Sequence, residues 1–229
     1  MGGAAASNFE ISSIFQLLSP LDGGITLDVG VGPGRVFRKL VEQGTHLVAI
    51  DADRNMIRHT AETLRVSSKN VERADFVVAD AENLPFRSNS FGTIICIRVL
   101  KYLTNSKRGI GEMCTALVPG GRLVLEFPNY LGPGALLKLP QFIMTGSVYP
   151  AVFRVNGIRK DLSDFGVSIN AIIGWHKIPL AFLVMANNGR LVASILRVEA
   201  IFQRMTPPEF MSRSVVVSGV KRKFATSIQ

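Results

Sequence analysis

The chain has 229 residues, with 26 Lys and Arg against 17 Asp and Glu and a net charge of +9. Apolar residues make up 47% and charged residues 19%, the latter below the usual fraction of about a quarter, so the chain can bury a large core and disordered or collagen-like classes are excluded. Two Cys cannot build a disulfide framework or a four-thiolate zinc site, and no metal site is expected.

Met1–Ser7 is small and uncharged, which predicts no secretory signal and a reducing, cytoplasmic setting. Ser7-Asn8-Phe9-Glu10 reads as a capping box opening a helix that Pro20 closes. Residues 25–29 form a short apolar run ending in a glycine-rich turn, a buried strand by pattern. A helix over 35–42 places Val36, Phe37, Leu40 and Val41 inward, with Gly44 as its stop. Strand 46–50 ends in Asp51, helix 54–66 follows, and strand 75–79 ends in Asp80. A fourth strand spans 91–97, a helix spans 105–118 up to Pro119-Gly120-Gly121, and a fifth strand spans 122–127. Two late strands are expected at 167–173 and 212–220, while 128–166 has no clear assignment. Such alternation predicts βαβ units around a parallel sheet, with ligands bound outside the carboxyl ends of the strands.

The organisation expected is one domain over 1–229. It comprises an N-terminal helix at 1–21, a core at 22–129, a basic, apolar cap at 130–211 and the closing strand at 212–220. Charge separates along the chain. Residues 1–130 hold 14 basic and 13 acidic residues, and residues 131–229 hold 12 and 4. The same half contains the oiliest stretches, 178–186 and 191–201, none of them long enough to span a bilayer.

LDVGVGPGR (27–35) places Gly30, Gly32 and Gly34 between a strand and a helix, where backbone N–H groups can approach a ligand closely. The third glycine comes one residue too early for the dinucleotide fingerprint, which argues against a nicotinamide cofactor. Asp51, 19 residues after Gly32, can accept both hydroxyls of a ribose. Its alternative role is to cap the following helix, for which Asp53 is better placed. Asp80 could accept from the amine of a base and Ala81 N–H could donate to a ring nitrogen; otherwise Asp80 caps a polar turn.

Together LDVGVGPGR, the acid of AIDADRNM, DAENLPFRSNSF and LVPGGRLVLEFPN resemble a class I S-adenosylmethionine-dependent methyltransferase. The nearest subgroup is the type 11-like one containing quinone-biosynthesis and small-molecule enzymes, and the resemblance covers roughly residues 22–129. It implies an α/β, three-layer Rossmann-like fold whose seven-stranded, mostly parallel sheet has an antiparallel last strand. It further implies S-adenosyl-L-methionine as cofactor. Gly30, Gly32 and Gly34 would flank the methionine part, Asp28 would hold its amino group, and Asp51 with neighbouring Ala52 would bind the ribose. Asp80 and Ala81 would read the adenine. Gly92 stands where the subgroup usually has an acid, and the segment around Arg98 is unusually basic. Arg98 is a candidate contact for the cofactor carboxylate or an anionic substrate, with an ion-paired or solvated Arg as the alternative.

Methyl transfer from a sulfonium is an in-line displacement, so alignment and desolvation can carry the acceleration without a base. His176 and Tyr102 are the candidate catalytic residues, with Tyr149 a further one; His46 and His59 read as structural and solvent-facing. Cys96 and Cys114 read as core. The basic half suits phosphate, making RNA a rival acceptor. Yet Arg98-Val99-Leu100 lacks the Asp/Asn-Pro-Pro-aromatic motif of base amino-methylating enzymes, and no Pro-Cys nucleophile is present there. A small lipophilic acceptor, such as an isoprenoid, quinone or lipid, accounts for both the charge and the oil, with peripheral membrane contact through the amphipathic stretch carrying Arg190, Arg197 and Arg204. A non-catalytic cofactor-binding module is the reading from a different class.

Overall fold

The computed structural model describes residues 2–19, 24–67, 71–132, 152–175 and 189–223. Helix α1 (Gly2–Leu18) leads into β1 (Thr26–Val29), α2 (Arg35–Glu42), β2 (Leu47–Asp51), α3 (Arg54–Ser67) and β3 (Ala74–Val78). Then come β4 (Phe91–Cys96), α4 (Ser106–Ala116), β5 (Leu117–Pro128), α5 (Val155–Asp164), β6 (Val167–Trp175), α6 (Gly189–Met205) and β7 (Ser214–Lys221). The strands form one seven-stranded sheet in the order β3-β2-β1-β4-β5-β7-β6. Neighbours from β3 to β5 pair in parallel, and β7 runs antiparallel to both β5 and β6. The predicted fold class is therefore the one observed.

Alternation along each strand feeds two separate cores. Leu27, Val29, Ile94, Cys96, Leu123 and Leu125 point to the face covered by α4 and α5. Ala49, Ile95, Val124 and Val216 point to the opposite face, where α1, α2 and α3 bring Ile14, Phe37, Leu40 and Leu64. Both faces being covered explains why these strands read as continuous apolar runs rather than as alternating ones. Among the described residues, no helix is long and apolar enough to cross a membrane.

Three local expectations shift. Helix α1 starts at Gly2, so Ser7 lies inside it and Glu10 serves no capping box. Apolar residues at Ile14, Leu17 and Leu18 set which side of α1 packs, and Glu10, one turn before Ile14, falls on that side. Next, α4 ends at Ala116, and Leu117–Gly121 is already extended, with a bulge between the Phe91 and Thr93 pairings. Pro119 disfavours helix at the residue before it, which ends α4 earlier than the glycines would. Lastly, α5 occupies part of the unassigned stretch, burying Val155, Ile158 and Leu162.

Phe37 is fully buried against Phe76, with ring centroids 5.4 Å apart. Phe37→Ala should lower the unfolding free energy by about 3–5 kcal/mol, whereas Val66→Ala, at an exposed position, should change it by less than ~0.5 kcal/mol. Urea titration of both variants checks this.

Candidate functional site

The chain leaves β1 toward β2 on one side and leaves β4 toward β5 on the other, so a crevice opens at the carboxyl ends of these neighbours. It encloses about 830 Å³ and reaches from the glycine loop to the segments after β3 and β4, with α1 along one wall. Of the residues singled out from the sequence, Asp28, Gly30, Gly32, Asp51, Ala52, Asp80, Ala81, Arg98 and Tyr102 all line this crevice. Gly34 lies behind it, and His176 and Tyr149 fall outside the described residues.

Gly30, Gly32 and Gly34 all have positive φ, a region open to glycine at little cost. Their surroundings differ. A Cβ on Gly30 would overlap Val99, and one on Gly34 would sit 2.6 Å from Thr60 Cγ2, so these two permit close packing. Gly32 has nothing within 4 Å of such a Cβ and presents bare backbone to the crevice. Asp51 holds the loop in place, because its Oδ2 accepts from Gly32 N–H at 2.9 Å while its Oδ1 accepts from Asp53 N–H at 3.0 Å. One lone pair on each oxygen remains available to a ligand hydroxyl. Asp53 caps α3 through Asn55 N–H at 2.8 Å, leaving Asp51 to this second task.

On the far side, Asp80 Oδ1 accepts from Glu82 N–H at 2.9 Å, forming a tight turn. Glu82 in turn accepts from Thr104 N–H at 2.6 Å and Asn105 N–H at 3.1 Å, and Glu112 accepts from Leu84 N–H at 3.1 Å. Glu82, within the DAENLPFRSNSF motif, and Glu112, outside it, thus pin the Asp80–Leu84 segment to the start and middle of α4.

Asp28 is only 5% exposed, between Leu27 and Val29 on β1, and no ion pair reaches it among the described residues. Burial and then the neighbouring Asp51 push its carboxyl from 3.8 up to about 7. Glu126, at the corresponding face of β5, is 2% exposed and also raised by burial, against the opposing effects of Ser214 and Arg98. Its Oε2 accepts from Arg98 N–H at 2.7 Å, which holds Arg98 at φ 65. The Arg98 guanidinium reaches back to Glu10, Nη2 lying 2.6 Å from the carboxylate, and Arg35 Nη2 joins the same acid at 3.3 Å. Arg98 is therefore ion-paired, and α1 is fastened across the crevice by its own buried acid.

Glu10, read from the sequence only as a capping-box acid, and Glu126 were not singled out as site residues, although each carried a signal. Glu126 interrupts an apolar strand run, LVLEF, in which Leu123, Val124, Leu125 and Phe127 are buried, and Glu10 lies on the apolar side of its helix. The cysteines are core residues: Cys96 and Cys114 are buried, and burial pushes the Cys114 thiol up to about 12. His46 bonds Asp75 at 2.9 Å on the surface, and His59 is exposed. Among the described residues, no cluster could hold a metal ion.

The arrangement offers an acid pair for ligand hydroxyls and amines, a buried acid that calls for a cation, and bare backbone between them. Residues 27–125 match the model of a methyltransferase domain family. A demethylmenaquinone methyltransferase of Clavibacter sepedonicus is 32% identical over 161 residues, covering 70% of this chain and 62% of the relative. A ubiquinone/menaquinone biosynthesis C-methyltransferase of Rhizobium meliloti is 32% identical over 160 residues, covering 62% of this chain and 61% of the relative. The chain thus spans about three fifths of the length of these curated relatives. The crystal structure of magnesium protoporphyrin IX methyltransferase from Synechocystis with bound S-adenosylhomocysteine shares the fold, with TM-score 0.69 and 17% identity over 95% of this chain and 84% of that one. Residues 27–125 are thus similar to a methyltransferase domain, and the fold of the chain is that of solved methyltransferases.

Proposed function

We propose that the protein transfers a methyl group to a small lipophilic acceptor, an isoprenoid, quinone or lipid-like molecule, on the cytoplasmic side of a membrane. The observation that carries this is the crevice itself, whose lining combines bare glycine backbone and the acids Asp28, Asp51 and Asp80 with the apolar Ile11, Ile14, Val99 and Leu103 and the ring of Tyr102. The quinone-type acceptors named for the two relatives agree with the apolar part of this lining.

The residues fit the cofactor. Asp28 is a buried acid lacking a cation, and the ammonium of the methionine part would supply one. Asp51 keeps an unused lone pair on each oxygen for the ribose hydroxyls. Asp80 Oδ2 and Ala81 N–H would take the adenine edge, with Ala52 beside the ribose. Gly32 lets the chain approach the methionine part, and Arg98, through Glu10, holds α1 as the wall that keeps water out. When bound, S-adenosylmethionine supplies an electrophilic methyl group on a sulfonium. The chain contributes alignment and a dry cavity, which suffice for an in-line displacement. Tyr102, 73% exposed at the rim with Lys101 Nζ 4.7 Å from its ring centroid, is the described residue available to orient an acceptor oxygen.

Three outcomes test this. Asp51→Ala should weaken S-adenosylmethionine binding at least about tenfold, the loss of roughly one charge-assisted bond; unchanged affinity by calorimetry would remove the ribose assignment. For Asp28, the folded protein retains the proton up to about pH 7 while the unfolded chain releases it near 3.8. Folding stability from this group therefore falls as pH rises through that window and levels off above it. Urea midpoints of the wild type should decline from about pH 5 to 8 relative to Asp28→Asn, while cofactor affinity rises over the same range in the wild type only. Finally, labelled methyl groups incubated with protein and heat-treated cell extract should enter the organic-soluble fraction; label in nucleic acid instead would overturn the lipophilic acceptor.

A further inference from the structure

We propose that α6 and the turn after it form a docking face for an anionic lipid bilayer, delivering the acceptor to the crevice from the membrane side. The delivery role rests on the lipophilic-acceptor reading above; the docking itself does not.

Leu191, Val198, Ile201 and Met205 are 51%, 44%, 54% and 78% exposed along α6. Their spacing of seven, three and four residues places them on one stripe of the helix. Arg190, Arg197 and Arg204 each directly precede a member of that stripe, so an exposed row of guanidinium groups runs alongside the exposed apolar row. The packed side of α6 carries Glu199, 4% exposed, with half-buried Ile195 and Leu196. A monomer seldom leaves so many large apolar side chains together in water.

The pattern continues past the helix. Phe210 and Met211 are 49% and 44% exposed, and Arg213 is exposed beside them. These side chains project from a turn that is well anchored. Asn129 Nδ2 donates to the carbonyls of Glu209 and Ser212, Ser212 Oγ donates to Pro208 O, Phe210 N–H donates to Pro207 O at 3.0 Å, and Arg213 N–H donates to Trp175 O at 2.9 Å. Ser214 then pairs with Pro128 and Trp175, the last residues of β5 and β6. The turn consequently sits at the carboxyl edge of the sheet, the edge on which the crevice opens.

Charge selects the occupant. Across residues 189–213 the acids are Glu199, buried, and Glu209, half-buried, whereas the arginines are exposed, so the surface presents positive charge interleaved with aliphatic groups. A bilayer with anionic headgroups satisfies both, since the guanidinium groups meet phosphates and the aliphatic groups enter the acyl boundary. Nucleic acid would satisfy only the charge. Among the described side chains, the large exposed ones here are Leu, Val, Ile and Met with a single Phe, not a set of stacking aromatics.

The test uses the full chain in co-sedimentation with vesicles of phosphatidylcholine alone or of equal parts phosphatidylcholine and phosphatidylglycerol. Capture by the mixed vesicles should be about tenfold tighter or more and should weaken with salt. R197Q combined with R204Q should reduce it about ten- to thirtyfold at low salt and little at high salt. Ile201→Ser with Met205→Ser and Phe210→Ser should reduce it at any salt, and calorimetric S-adenosylhomocysteine affinity equal to wild type would show each variant folded. Equal capture of wild type and both variants, equal capture by neutral vesicles, or displacement from mixed vesicles by RNA would each overturn the proposal. Methyl label entering the organic phase from detergent micelles without vesicle capture sinks the docking face alone. Vesicle capture without such label sinks the acceptor reading alone.

Discussion

The crevice follows from one topological constraint: β1 and β4 are hydrogen-bonded neighbours whose outgoing connections travel in opposite directions. No loop can then cover the carboxyl ends of both strands, and the backbone N–H groups of the following turns face a common space. Everything polar in the site is a response to that opening. Asp51, at the end of the adjacent strand, turns its carboxylate onto the glycine loop and fixes it from the side. The segment after β3 is fixed from below by Glu82 and Glu112.

Crowding acids into this space has a thermodynamic cost that the fold distributes unevenly. Glu10 and Glu126 are offset by arginines and by backbone or hydroxyl donors, so they act as struts between α1, β5 and the segment after β4. Among the described residues no ion pair reaches Asp28, and burial and then Asp51 raise its pKa. An acid left in this state favours a ligand cation, because binding removes an unfavourable interaction as well as adding a favourable one. Preorganisation of this kind costs stability in the free protein and is recovered on binding.

The basic half of the chain has a different logic. Part of its charge, Arg190, Arg197, Arg204 and Arg213, lies along α6 and the turn leading to β7, and that turn sits at the edge where the crevice opens. Because β7 is antiparallel, its entry turn comes to the same edge as the exits of the parallel strands. The turn carrying Phe210, Met211 and Arg213 and the crevice are thereby placed at one edge of the sheet by strand direction.

Much of this was legible in the amino-acid order. Strand and helix positions, the glycine loop, Asp51 and Asp80 depend on local pattern and on the rule that ligands gather at strand ends, and each is found where that rule places it. The arginine spacing on residues 190–204 likewise follows from helical periodicity. Other features needed the folded chain. The pairing of Glu10 with Arg98 joins residues 88 apart, and Asn129 reaches 83 residues along the chain to Ser212, distances over which composition and spacing say nothing. A helix start at Gly2 rather than at the Ser7 capping box was not legible in the local pattern, and α4 ends early where Pro119 disfavours helix and Leu117–Gly121 joins the sheet. Sequence alone determined which residues could meet a cofactor, because those roles are set by short-range backbone geometry; tertiary structure decided which acids are paired and which is left waiting for a cation, because charge compensation depends on neighbours brought together through space.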